Sequence, residues 1–246
     1  MPLQRYKLTI AYDGTAYCGW QRQKFPVPTV QYAVEKAFGE IVNHPVTVSG
    51  SSRTDTGVHA KGQVASMDAN THLEPERLRL AVNSRLPPDI LIRQILPTDP
   101  NFDASRAICK RYRYVIWQSR DRPVFNRQYV YHYWHELDLS LMQKAAVMFE
   151  GRHDFAAFQG RVEERQTTVR EIYHCSIDRR GPIMIFSVEG NGFLYHMVRT
   201  MAGTVLEAGR GRWAPEHIRS ILASTDRREA GPCLPPMGLC LQWIRF

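Results

Sequence analysis

The chain lacks any cysteine pair in a C-x-x-C spacing. Its five cysteines, Cys18, Cys109, Cys175, Cys233 and Cys240, are scattered, which argues against a zinc knuckle or a redox dithiol, and their odd number fits a reducing compartment. No H-E-x-x-H pattern occurs, so no metal site is expected. The nine histidines offer one close pair, His132 and His135 in "YHYWHE", a stretch better suited to aromatic packing than to a metal. No run of about 18 apolar residues is present, and "MPLQRYKLTIAYDG" lacks the apolar h-region of a secretion signal; the expectation is a soluble, cytoplasmic protein with no membrane partner. No long polar tract suggests disorder, and 246 residues can bury a core as one large domain or two modest ones. Lysine is scarce: 26 of the 32 cations are arginine, on a chain of formal charge +8. Arginine presents a planar fork to phosphate and stacks on bases, which makes nucleic acid a candidate partner; base composition or heat adaptation gives the same bias without one.

What is present has a period. "RYKLTIAY" alternates as a half-buried strand, and "TVQYAVEKAFGEIV" puts Val30, Ala33, Val34, Ala37, Phe38 and Ile41 on one helical stripe with Thr29 as N-cap. "VTVSGS" and "GQVASMDA" read as strands, "PERLRLAVNSRL" as a helix opening on Pro75, and "DILIRQIL" as a fourth strand. The order β-α-β-β-α-β is ferredoxin-like. The second half repeats it: strand "RYRYVIWQ", helix "SLMQKAAVMFEG" ended by Gly151, and a hairpin of "VREIYHCSID" and "PIMIFSVEG" around "RRGP". Helices "FLYHMVRTMAGTVLEAG" and "APEHIRSILAS" and strand "GLCLQWIRF" follow. The fold expected is α+β, with two halves, residues 1–104 and 105–246, linked near "LPTDPNFDASRAICK". Laid side by side, the two sheets would leave a cleft at their seam.

Three segments carry candidate chemistry. "SSRTDTGVHAKG" has the Ser, Thr, Asp and Gly of an ordinary turn, yet it is longer than a hairpin needs. Arg53 sits two residues before Asp55, close enough to hold a carboxylate ionised or to clamp a phosphate. In "KRYRYVIW", Lys110, Tyr112 and Tyr114 share one strand face, and Arg111 and Arg113 the other. A base-stacking, phosphate-meeting sheet and a core strand with a basic outer face fit this alternation equally. In "NGFLYHMVRTMAGTVLEAGRG", Phe193, Met197, Met201 and Val205 make a core stripe, with Tyr195, His196 and Arg199 emerging from the first two turns as a candidate anion site. "RDRPVFNRQ", "GRVEERQTTVR" and "TDRREAGP" read as solvated basic stretches.

With these segments in hand, the chain resembles the bacterial tRNA pseudouridine synthases of the TruA type. "YDGTAYCGWQRQ", "TVQYAVEKAF", "RTDTGVHAKGQV", "VNSRLPPDI", "FDASRAICKRYRY", "GRHDFAAF", "NGFLYHMVRTMAGTVLEAGRG" and "GLCLQW" occur in the family's order and cover almost the whole chain. The resemblance implies two ferredoxin-like halves joined in one extended, mainly antiparallel sheet, with helices on one face and a central cleft. It implies isomerisation of uridine to pseudouridine at tRNA positions 38, 39 or 40, without a cofactor. Asp55 would be the catalytic carboxylate and Arg53 an aid to flipping the uridine. Tyr112 would lie against the target base, and Arg199 would support the aspartate by a salt bridge. The implied working unit is a homodimer, and the implied partner is the anticodon stem-loop of tRNA. A tRNA-binding or RNA-chaperone protein without catalysis on the same fold is the alternative. One departure stands out: the family usually has glycine where this chain has Ser52. A left-handed backbone there would strain the serine by ~1 to 2 kcal/mol.

Overall fold

The structure is a computed structural model that describes residues 3–160 and 167–246. Most of "GRVEERQTTVR", residues 161–166, lies outside the described residues. The described residues form ten strands and five α-helices, and the strand pairing is mainly antiparallel. This is the α+β class that the alternating and helical periods predict. The chain divides into two compact units, Met1–Ala107 with Leu241–Phe246, and Ile108–Cys240.

The first unit begins with β1, Gln4–Tyr12, whose Tyr6, Leu8, Ile10 and Tyr12 are buried while the residues between them are partly exposed. Helix α1, Val30–Val42, starts where Thr29 accepts a hydrogen bond from the Tyr32 amide, the N-cap role its hydroxyl suggests. Strands β2, Val48–Gly50, and β3, His59–Ala69, flank the Asp55 loop. Helix α2, Pro75–Asn83, opens on the expected proline and ends three residues before the predicted Leu86. There the Asn83 amide leaves the helix to pair with both backbone groups of Ile92, at 2.9 and 2.8 Å. Strand β4, Ile90–Pro97, and β3 both pair with β1, which runs between them. The β1–β3 register shifts between Ile10 and Tyr12. A bulge of this kind bends a strand, and this one falls next to the Asp55 loop.

The second unit begins with β5, Cys109–Gln118, which runs antiparallel to β9, Ile183–Gly190. Beyond β9 lie β8, Val169–Arg180, and β7, Gly151–Asp154; β6, Tyr131–Tyr133, runs parallel to β5. The short β6 and β7 escape a reading by period because three or four residues display no alternation. In β6 and just after it the rings pack on one another, His132 on Trp134 and Tyr133 on His135. Helix α3, Leu139–Val147, is capped by Asp138, which accepts from the amides of Ser140 and Leu141. The sequence pattern carries this helix to Gly151, yet it ends at Val147. Met148, Phe149 and Glu150 form tight i to i−3 turns instead, and Gly151, at φ +101°, opens β7.

Helix α4, Met197–Gly209, buries every residue except Arg199. A helix buried on nearly every side belongs to a core, and this one is wider in its burial than the single stripe predicted for it. It also starts later than predicted: Phe193, Tyr195 and His196 precede it, with His196 left-handed at φ 64°. Helix α5, His217–Ser224, follows. Strand β10, Leu239–Arg245, begins in the second unit and ends in the first.

Candidate active site

The loop from Ser51 to Val58 is fastened residue by residue. The Ser51 amide donates to the Val64 carbonyl at 2.8 Å. Gln63, fully buried in β3, brackets the next peptide: its Oε1 accepts from the Ser52 amide at 3.2 Å and its Nε2 donates to the Ser52 carbonyl at 2.5 Å. The Thr54 carbonyl accepts from the Trp20 amide at 3.1 Å, and its hydroxyl meets the Tyr12 phenol at 2.8 Å. Val58 closes a four-residue turn by donating to the Asp55 carbonyl at 3.1 Å, with Gly57 at φ +76° in the third position, where glycine alone is at ease. The Gly57 amide donates to the Tyr17 carbonyl at 3.2 Å.

Neighbouring backbone also shapes the loop. Gly19 has φ +86°, and a Cβ there would sit 2.7 Å from the Thr54 carbonyl oxygen, so the segment Tyr12–Trp20 packs against the loop at a distance only glycine allows. Ser52 is absent from the positive-φ residues, which apart from glycine are Asn43, His196 and Thr225 among the described residues. The strain that a left-handed Ser52 would carry is therefore absent. Its peptide is instead held on both sides by Gln63.

The side chains that emerge are those the motif singles out. Ser52 and Thr54 are buried, while Arg53 between them is exposed and Asp55 is partly exposed. Residue identity explains the division: short hydroxyl side chains turn inward to bond, and charged ones stay at the surface. The fastening residues Gln63, Tyr12, Tyr17 and Trp20 are not among those the sequence motifs mark as functional. A glutamine inside the apolar run "QVASM" is the available signal, because a buried amide needs partners for its donors and acceptor.

In the second unit, Tyr112 is buried on β5 with its ring edge-on to Phe193, centroids 5.2 Å apart at 83°. The expected alternation holds: Tyr112, Tyr114 and Ile116 point inward, and Arg111 and Arg113 do not share their burial. Arg111 pairs with Glu189 at 3.3 Å. Lys110 lies on the tyrosine face, and burial, with the Arg170 charge adding to it, pulls its ammonium down to about 8. Arg199 is anchored at the first turn of α4, its Nε donating to the Leu234 carbonyl at 2.6 Å. Ahead of it, the Tyr195 and His196 rings stack at 3.7 Å, and a Cβ on Gly160 would collide with the His196 ring. The structure thus brings Arg53 and Asp55 together on one loop of the first unit, and places Tyr112 and Arg199 in the second.

A family model described as tRNA pseudouridine synthase matches residues 8–105 and 145–246. The matched spans include Arg53, Asp55 and Arg199 and stop short of Tyr112. The chain is 42% identical to tRNA pseudouridine synthase A 2 of Clostridium perfringens, with 99% of this chain and all of that protein aligned. It is 42% identical to tRNA pseudouridine synthase A of Clostridium acetobutylicum and 39% identical to that of Pseudothermotoga lettingae, again over 99% of this chain and all of each relative. The class is that of RNA-modifying isomerases. More particularly, the chain belongs to the tRNA pseudouridine synthase family. Among the described residues no helix is long and apolar enough to cross a membrane.

Proposed function

We propose that this enzyme converts uridine to pseudouridine at one or more of positions 38, 39 and 40 in the anticodon stem-loop of tRNA. Asp55 acts as the nucleophile on a base flipped from its stack. The reaction breaks the C1′–N1 bond, turns the uracil and joins C5 to C1′; the C5 proton is lost and the freed N1 takes up a proton. It is neither a redox reaction nor a net hydrolysis, so a carboxylate suffices. Attack at C1′ or C6 forms an intermediate that divides the difficult step in two.

The observation that carries this reading is the fastening of the 51–58 loop. Fixing the peptides of Ser52, Thr54, Gly57 and Val58 fixes the path of the backbone at Asp55, and a nucleophile held near its attack geometry saves the entropy of finding it. An exposed Arg53 two residues away suits the cost of extrusion, a few kcal/mol, which phosphate contacts offset. Tyr112 holds the freed uracil first and serves as a base second, since an ordinary phenol is a reluctant one. Arg199 acts in support of the catalytic aspartate. The resemblance supports these two roles, together with a homodimeric working unit and a cytoplasmic location.

The test is tritium release from tRNA carrying C5-labelled uridine. Asp55→Asn is expected to abolish release and to retain tRNA binding. Mapping by carbodiimide treatment and primer extension then locates the product; an adduct confined to sites outside the anticodon arm refutes the positions proposed. Light scattering is expected to give twice the chain mass.

A further inference from the structure

The first unit holds a cavity of about 600 Å³ between loop 22–29, the exposed side of α1 and Arg85–Pro87 after α2. Its floor includes Ala33 and Ala37, side chains too small to fill it. Two large rings stand at its edge, Phe25 at 77% exposure and Tyr32 at 52%. Four cations line it, Arg22, Lys24, Lys36 and Arg85, against one carboxylate, Glu40. Arg22 is engaged by Glu35 at 3.0 Å. Lys24, Lys36 and Arg85 are exposed and make no ion pair with the described residues.

Exposed rings among uncommitted cations are a poor surface for water alone and a suitable one for single-stranded nucleic acid. Any base offers a π-face to Phe25 or Tyr32, and its phosphates offer charge to the cations. Charge also selects the occupant: a second copy of this chain would bring another +8, whereas RNA brings the opposite sign. The groove shares a wall with the candidate active loop. Tyr17 lines it, with its phenol donating to Asp89 at 2.6 Å, while its carbonyl accepts from Gly57 of the 51–58 loop.

We propose that this groove binds an unpaired nucleotide of the substrate RNA other than the target uridine, stacking its base on Phe25 or Tyr32 and its flanking phosphates on Lys24, Lys36 and Arg85. The inference rests on the reading of tRNA as substrate. It adds a contact that sets affinity and RNA preference without taking part in the chemistry.

Two variants and one crosslink test it, with intact tRNA as the probe and circular dichroism confirming that each variant folds. In K24A/K36A/R85A, Kd for tRNA is expected to rise about tenfold or more, and the slope of log Kd against log salt to fall by about 2, three contacts at roughly 0.7 each. In F25A/Y32A, Kd rises by about tenfold with the slope retained. In both, KM rises and kcat at saturating tRNA is kept. A benzophenone side chain at position 32 crosslinks to a tRNA nucleotide away from the target. Unchanged Kd and slope in both variants overturn the proposal, as does crosslinking only to a second protein copy. If wild type releases tritium and Asp55→Asn does not, such a result condemns the groove alone; if Asp55→Asn is fully active, it is the catalytic reading that fails.

Discussion

The loop that carries Asp55 and the turn that leads into Arg199 are fastened in different proportions by hydrogen bonds and by rings. From Ser51 to Val58 the backbone is held by directional hydrogen bonds from Gln63, Val64, Trp20 and Tyr17, and the left-handed position falls to a glycine. From Asn191 to His196 the left-handed position falls to a histidine, and ring contacts, Tyr195 on His196 and Phe193 on Tyr112, join the hydrogen bonds that tie Asn191 to Glu171 and the Tyr195 carbonyl to the Gly160 amide. Hydrogen bonds specify direction to within tens of degrees, whereas stacked rings slide at little cost. The first design suits a group that must be aimed at a reacting atom. The second suits a segment that must be packed while the helix behind it supplies rigidity.

Replacing the bracket in the first loop should separate the two designs most widely. Gln63→Leu removes both hydrogen bonds that Gln63 makes to the buried Ser52 backbone, which should cost about 2 to 4 kcal/mol in a denaturant melt. Because a displacement near 1 Å at a reacting group can cost on the order of 100-fold, kcat for tritium release should fall by up to that factor. A Gln63→Leu enzyme with wild-type kcat would mean that the fastening does not aim Asp55.

A charge on the tyrosine face of β5 comes next. Lys110 is held at about 8, below its unfolded value of 10.5, so the unfolded chain binds more protons between those limits. The penalty for burying the ammonium is thus fully present below pH 8 and relieved as pH rises toward 10.5. The stability of wild type relative to Lys110→Met should accordingly rise by about 1 to 3 kcal/mol across that window. Thermal melts of both proteins at pH 7 and pH 9.5 check the sign; a relative stability that falls with pH contradicts it.

The smallest effect is expected in the turn before α4. His196→Ala keeps the left-handed strain and loses the ring contact, while His196→Gly loses the ring and relieves the strain. The glycine variant should be the more stable of the two by about 1 kcal/mol, with kcat within a factor of two of wild type in both. A large loss of kcat in His196→Gly would show that this turn, too, aims a reacting group.

The same contrast marks where the sequence could be read. Strict alternation in "RYKLTIAY" and "KRYRYVIW", the Thr29 cap and Pro75 are local signals, and they locate β1, β5, α1 and the start of α2. Arg53 and Asp55 are legible as a pair because a single residue, Thr54, lies between them. The bracket from Gln63 is not, since it joins residues 11 apart across a loop whose path the sequence does not display. Apolar spacing at 193, 197, 201 and 205 extends α4 too far toward the N-terminus, because nothing in the letter H announces a left-handed residue at 196. Glycine in the relatives' pattern suggested strain at Ser52, and the observed backbone resolves it by a different path.

The central claim is that a rigid loop aims Asp55 at the uridine, and its most direct measurement is tritium release by Asp55→Asn on C5-labelled tRNA, beside a binding curve for the same tRNA. The account predicts release indistinguishable from the no-enzyme control with Kd within about threefold of wild type. Release at the wild-type rate would contradict it.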